Sequence, residues 1–444
     1  MKKDKKLLDV LSGISRKLAG QIHIRALRDG FMSSMPFLVL AGLMMLINWV
    51  ALEPEFFGNY IPVEHMATVK LVGRKVLNGT MNIYALICSC LIAYNLADKK
   101  KFAAPILASV VSMATLFVLL PYFTPISVEG VADPVMLSGY APLSLLGTEG
   151  VFLGIVVALL GTEIFLAVSK NEKLKIKLGP QVPPAVAASF NSMAAIMINL
   201  LFFGFLSLLS NVLFHCELYE IINKVLQAPL VGISTSLGGF LILSFFGNLL
   251  FAFGIHPGGI VNPILEPALM VAMSQNSAAL AAGTAIPHII VMPFEKIYGS
   301  LGGTGGTIAL LVAVYIWSKR KEHREMAKLS LPTGLFNINE PVIFGFPILM
   351  NPILMIPFVI APLITWTIAY LVTAAGLVSR LVVYVPWSTP PIINAFLASG
   401  GDVRNVILQI ACIALQVIIY GVFLKIYEKT LNDQVEAVEA SKVQ

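Results

Sequence analysis

Charge is scarce in this sequence. Only 12% of its 444 residues are Asp, Glu, Lys or Arg, while 57% are hydrophobic and mean hydropathy is +0.85. An ordinary soluble domain carries about 25% charged residues. So few charges cannot solvate a surface of this size, which excludes a soluble protein, and so much apolar surface excludes disorder. Cysteine is also sparse. Cys88, Cys90, Cys216 and Cys412 form no CxxC pair, zinc spacing or disulfide framework. They lie in or near apolar runs and read as small buried hydrophobes. There is no P-loop, no HExxH, no TVGYG filter, no arginine ladder and no assignable Ser-His-Asp set. An ATP motor, a zinc protease and a voltage-gated channel are thereby excluded, and no cofactor or metal is expected.

Apolar length is what the chain has in abundance. A helix needs about 20 mostly apolar residues to cross a bilayer. About ten segments qualify: 31–52, 76–97, 102–122, 148–169, 185–213, 230–254, 263–282, 302–318, 350–373 and 404–427. The net charge of +6 belongs to the loops between them rather than to a nucleic-acid surface. Of 30 Lys and Arg residues, 23 fall in 1–30, 98–101, 170–179, 318–328 and the tail after 424. The positive-inside rule places these on the cytoplasmic side, with both termini. The first apolar run begins near Phe31, too far in for a cleaved signal peptide, so the whole chain is expected to be mature protein.

Four stretches are too rich in Gly and Pro to be clean spans: IHPGGIVNP at 255–263, GSLGGTGGT at 299–307, LPTGLFNINEPVIFGFP at 331–347 and YVPWSTPPIINA at 384–395. Gly and Pro free backbone polar groups, which at membrane depth are tolerated only inside protein or beside a wet cavity. Regions 331–347 and 384–400 therefore read as re-entrant or broken-helix elements around a binding site. The expected fold is all-α and polytopic, about ten spans plus these broken segments. Its division is an N-terminal half over 1–180, a connecting span and linker over 181–229, and a C-terminal half over 230–444. NPIL occurs at 262–265 and again at 351–354; a faint repeat and chance both account for it.

An ionisable side chain within an apolar stretch is costly and so marks a candidate site. Glu340 leads, flanked by Asn337 and Asn339 and followed by Pro341. A carboxylate accepts from hydroxyls and amides both donate and accept, as a ligand with many OH groups requires. His256 precedes Pro-Gly-Gly at a helix break, and its ring exchanges donor and acceptor roles. Trp387 reads either as a stacking platform for a sugar's C–H face or as an interfacial belt residue. Glu295 and Lys296 read as an ion pair or the end of an amphipathic segment. Glu149, Glu163 and Glu266 are buried candidates without a named partner, and Arg74 and Lys75 read as interfacial or reaching a cavity. The residues alone describe a transporter for a polar, uncharged or weakly charged substrate, and leave its energy source open.

GLFNINEPVIFGFPILMNP at 334–352, with GIHPGG upstream, LGTEGVFLGI at 146–155, VPPAVAASF at 182–190 and PWSTPPIINAFLASGGDVR at 386–404, resembles the membrane component, enzyme IIC, of the bacterial phosphoenolpyruvate-dependent phosphotransferase system. The likeness spans nearly the whole chain and is nearest the lactose/cellobiose/diacetylchitobiose branch. It implies the glucose-superfamily type of IIC fold in the bacterial plasma membrane, and a homodimer with a dimerising N-terminal half and a sugar-holding C-terminal half. It also implies phosphorylation of the sugar by a phosphocysteine on a separate enzyme IIB, charged by enzyme IIA. By motif, Glu340 and His256 would sit at the reacting hydroxyl, with Asn337, Asn339, Trp387, Lys75, Pro183 and Pro184 as further site residues. The chitobiose branch has Trp and Gly around this His, where this chain has Phe251 and Pro257, so the disaccharide stays open. The chain is expected to carry no fused soluble domain. The alternative is a proton-coupled secondary sugar transporter.

Overall fold

The computed structural model describes residues 21–52, 58–126, 134–139, 141–175, 184–254, 257, 260–346 and 348–443, with the side chains of 50, 184–189 and 434–443 left aside. The protein is mostly helical. Contacts divide it into two compact units, one of Leu71–Val231 with the described part of Arg16–Ala41, the other of Gly42–Lys70 with Gly232–Gln444. The division falls inside helices rather than in loops, and gives the second unit a segment from the first 70 residues.

Through the first unit run α1 (Ile22–Leu46), α2 (Val63–Asn78), α3 (Tyr84–Lys99), α4 (Pro105–Val118), α5 (Thr148–Ser169), α6 (Pro184–Phe214) and α7 (Leu218–Thr235). Hydrocarbon offers no hydrophobic drive between helices, so they associate by close approach and polar contacts. A Cβ at Gly30 of α1 would fall 2.5 Å from the Ile92 side chain of α3, and one at Gly154 of α5 would fall 2.9 Å from the Ala85 carbonyl oxygen. Buried hydroxyls pair between helices: Ser34 with Tyr84 at 2.8 Å and Ser89 with Ser112 at 2.7 Å. Asn199 of α6 donates to Thr115 of α4 at 2.9 Å.

The all-helical expectation needs one correction. Between α4 and α5, β1 (Phe123–Ile126) pairs antiparallel with β2 (Val135–Ser138), Phe123 opposite Ser138. Pro121 and Pro125 disfavour a helix here, and a two-stranded ribbon has only edges, where proline is tolerated.

The second unit contains α8 (Leu237–Ala252), α9 (Asn262–Ala282), α10 (Phe294–Tyr298), α11 (Thr307–Trp317), α12 (Lys321–Leu335), α13 (Glu340–Gly345), α14 (Met355–Ala374), α15 (Ile393–Ala398) and α16 (Val403–Val443). Among the described residues six helices are long and apolar enough to cross a membrane, or seven if the bent pair of α7 and α8 is one span. The expected ten are not all realised as full-length helices. Segment 102–122 yields only the 14-residue α4, and 302–318 yields the 11-residue α11 because glycines occupy its start. Segment 230–254 breaks at Ser236, whose hydroxyl caps α8 by accepting from Gly239 N–H at 3.2 Å.

One helix organises this unit. Asn405, Gln409, Gln416 and Tyr420 recur at helical spacing along α16 and are all fully buried, while Ile407, Ile410, Ile418 and Val422 are exposed. The polarity is inverted relative to a soluble helix: amides point inward and isoleucines point to lipid. The Gln409 side chain donates to the Ile297 carbonyl at 2.9 Å, Gln416 to the Gly299 carbonyl at 2.9 Å, and Tyr420 OH to the Gly305 carbonyl at 2.6 Å. Tyr298 OH donates to the Asn405 carboxamide oxygen. Each bond satisfies a group that a broken segment would otherwise leave bare in hydrocarbon. Tyr420→Phe keeps the ring and removes one such bond; a loss of about 0.5–2 kcal/mol is expected, the range for polar contacts between membrane helices. A thermal melt in lipid nanodiscs indistinguishable from wild type would show that the bond contributes nothing.

Candidate functional site

The glycine-rich loop 299–307 and the turn at 336–339 are built on each other. Asn337 adopts a left-handed φ of +61°, a conformation Asn tolerates better than most residues. Its side chain is buried, with 6% exposure, and both ends of the amide are used. Oδ1 accepts from Gly302 N–H at 2.7 Å, and Nδ2 donates to the Trp387 carbonyl. Asn339 is equally buried and donates to the Thr304 carbonyl at 2.8 Å. Gly303 lies where this loop crosses the turn. At φ +102°, a Cβ there would stand 2.5 Å from the Asn339 carboxamide carbon, so only glycine fits.

The short helix α13 starts directly from this cradle. Its inner face, Val342 and Ile343, packs into an apolar core with Phe251, Phe346 and Phe358. Glu340 lies in its first turn, is exposed, and makes no ion pair among the described residues. The fold uses the two asparagines and, among the described residues, gives the carboxylate no ion-pair partner.

Two further segments reach the same place. Trp387 is 40% exposed, and its backbone is tied to Asn337. Five residues on, Ile392 has φ +72°, a genuine outlier for a β-branched residue, costing on the order of 1–3 kcal/mol. Gln409 holds it there: Oε1 accepts from Ile392 N–H at 2.5 Å while Nε2 donates to Asn394 Oδ1 at 2.8 Å. At the end of α8, the Ala252 carbonyl accepts from Met350 N–H at 3.0 Å, and Phe251 meets Phe358 edge-to-face at 5.9 Å. The chain entering His256 is thus joined to the chain leaving Glu340. His256 and Pro183 themselves lie outside the described residues.

The other candidates divide between the two units. Pro184 opens α6 and Lys75 is exposed on the last turn of α2, both in the first unit. Glu149 and Arg74 are exposed. Glu163 is engaged by His23 at 2.5 Å and by Lys100. Glu295 pairs with Lys296 at 2.7 Å and accepts from Ser300 at 3.1 Å, and Glu266 accepts from Asn262 at 2.8 Å. Sequence reading missed Gln409, Gln416 and Asn405. The available signal was amides recurring at helical spacing inside an apolar run, where each is costly.

Asp402 anchors the start of α16. Burial pushes its carboxyl up, but the Arg404 guanidinium at 2.9 Å and the N–H groups of Ser379 and Arg404 outweigh this and hold it well below the usual carboxylate range. Its contribution to stability is therefore present above the ordinary carboxylate pKa and is lost only in strong acid.

The family described as "Phosphotransferase system, EIIC" matches residues 28–362. The chain is 32% identical over 418 residues to the lichenan permease IIC component of Bacillus subtilis, covering 94% of this chain and 91% of the relative. It is 31% identical over 428 residues to the cellobiose-specific EIIC component of Geobacillus stearothermophilus, covering 95% and 94%. Among solved structures, the transporter ChbC, the IIC component of an N,N'-diacetylchitobiose-specific phosphotransferase system, superposes with a TM-score of 0.87 at 30% identity, over 96% of this chain and 98% of that one.

If the Asn337 amide shapes the cradle, Asn337→Gly should weaken sugar binding at least tenfold even though glycine accepts the same φ. Isothermal titration in detergent measures this. Wild-type affinity in that variant would show that the left-handed backbone, and not the amide, is what the turn requires.

Proposed function

Because the chain belongs to the phosphotransferase system EIIC family of membrane sugar permeases, we propose that it takes up a β-linked disaccharide of the cellobiose, diacetylchitobiose or lactose type, moves it inward by alternating access, and presents a hydroxyl to a phosphocysteine of enzyme IIB. The observation that carries this reading is Glu340: an exposed carboxylate without an ion-pair partner among the described residues, on a turn whose other polar side chains are committed to backbone. A free carboxylate held rigidly is what a neutral polyol needs, since it accepts from hydroxyls without demanding a cation.

In the proposed transfer, the sugar hydroxyl oxygen attacks phosphorus, the S–P bond breaks, and the cysteine leaves as a thiolate. Glu340 orients the hydroxyl and takes its proton. His256 holds the same hydroxyl or offsets charge on the phosphoryl oxygens. Trp387 offers an apolar face to a sugar ring. Asn337 and Asn339 belong to the site as the groups that shape it. Lys75, Pro183 and Pro184 are assigned to it by motif. The product is a dianion that cannot recross hydrocarbon, so transfer also traps the cargo.

The rest of the reading follows the sequence. The N-terminal half, 1–180, dimerises, 181–229 connects, and 230–444 holds the sugar. On this reading the chain crosses the membrane about ten times, with both termini in the cytoplasm. Enzyme IIA recharges enzyme IIB.

Glu340→Gln preserves size and hydrogen bonding but cannot take a proton. It is expected to retain disaccharide binding within about tenfold and to lose phosphorylation-coupled uptake by at least 100-fold, the low end of what a general base contributes. Vesicles supplied with phosphoenolpyruvate and the soluble partners, followed by identification of the internal sugar, test this. Sugar phosphate formed normally by the variant would remove Glu340 from the chemistry. Free sugar, with uptake collapsed by a protonophore, would favour a proton-coupled transporter.

A further inference from the structure

The first unit contains a second polar site, outside the one proposed above. The ends of two apolar spans, at Lys99 and Ser169, frame a cavity of about 300 Å³. Four of its lining residues are lysines: Lys100, Lys101, Lys170 and Lys175. Glu172 is the one acid among the lining residues. Phe102 and Leu166 complete an apolar wall, with Phe102 packed edge-to-face on Phe165 at 5.5 Å.

The lysines are not equivalent. Lys100 is engaged by Glu163, and Lys175 by Glu172 at 2.6 Å. Lys101 and Lys170 are exposed and make no ion pair among the described residues. Lys101 also occupies a position usually given to glycine. It ends α3 at φ +56°, with its N–H donating to the Asp98 carbonyl at 2.8 Å and Phe102 N–H to the Ala97 carbonyl at 2.9 Å. A long cationic side chain accepts the left-handed penalty there, and it lines the cavity.

Helix C-termini favour nearby cations, which accounts for a lysine at the end of each span. It does not account for four lysines around one concavity with an apolar wall. From this arrangement we propose that the cavity binds the phosphate headgroup of an anionic membrane phospholipid. Its place at the span ends puts it at headgroup depth, and its two bordering loops are among those the positive-inside rule assigns to the cytoplasm. The lysines meet the phosphate; Phe102 and Leu166 meet the glycerol and the first carbons of the chains. A free phosphate ion would use the lysines and gain nothing from the wall.

The test uses the full chain in neutral detergent, offered phosphatidylglycerol, phosphatidylcholine or inorganic phosphate, with retained lipid counted by native mass spectrometry. The variant Lys101→Gln/Lys170→Gln removes the two ammonium groups lacking an ion pair and leaves both ion pairs in place. Wild type is expected to retain phosphatidylglycerol in preference to phosphatidylcholine, and the variant to hold it about 30-fold more weakly, roughly fivefold per lysine. Disaccharide binding by the same preparation verifies the fold and is expected to be unchanged. Equal retention of both lipids by wild type, or undiminished phosphatidylglycerol on the variant, overturns the proposal. Displacement of the lipid by millimolar inorganic phosphate overturns it in favour of a free anion. Intact lipid retention with lost phosphoryl transfer from enzyme IIB overturns it in favour of a protein partner.

Discussion

Every backbone N–H and C=O that leaves a helix at membrane depth must find a partner within the protein, because hydrocarbon supplies none. In the second unit one helix supplies a large share of these partners, beside Asn276, Ser277 and Trp366 on α9 and α14. Asn405, Gln409, Gln416 and Tyr420 of α16 form a polar stripe that takes up groups from residues 297–305 and 379–394. Without that stripe, the carbonyls of Ile297, Gly299 and Gly305 and the N–H of Ile392 would lose these partners. With it, irregular chain is held firmly enough to shape a site.

That firmness explains the division of labour among the polar residues. The amides of Asn337 and Asn339 join the turn at 336–339 to the loop at 299–307 and to Trp387. Gln409 keeps Ile392 in a strained conformation. Strain persists where surrounding contacts over-determine it, and such places cluster at functional sites. Among the described residues, Glu340 and the Trp387 ring carry no such commitment, one a hydrogen-bond acceptor and the other a flat apolar face. Together they suit a ligand that alternates hydroxyls with C–H faces.

The two units solve helix association differently. The first relies on small residues and hydroxyl pairs: Gly30 against Ile92, Ser34 with Tyr84, Ser89 with Ser112. Its ionic groups gather at the span ends, where Asp29 meets Lys99 at 2.5 Å and Glu163 meets His23 and Lys100. The second unit spends its polar groups in the interior. Irregular backbone at membrane depth needs internal amides to satisfy its polar groups. Regular helices satisfy their own backbone and need only close approach.

Much of this was legible in the sequence, because composition and position along the chain suffice for it. Membrane residence follows from the low share of charge. The broken segments follow from Gly and Pro, and the Glu340 motif follows from a carboxylate placed where carboxylates are costly. Other features depended on which residues meet in space. Asn337 and Asn339 look like ligand groups in one dimension, and only the folded chain commits their amides to Gly302, Trp387 and Thr304. The pairing of Phe123–Ile126 with Val135–Ser138 and the shortness of α4 and α11 arise from local Pro and Gly that a count of apolar residues does not weigh. The amide stripe of α16 is visible as spacing, but the carbonyls that Gln416 and Tyr420 donate to, at Gly299 and Gly305, lie more than 100 residues away. What a residue costs in hydrocarbon can be read from the sequence; which group repays that cost is decided by tertiary contact.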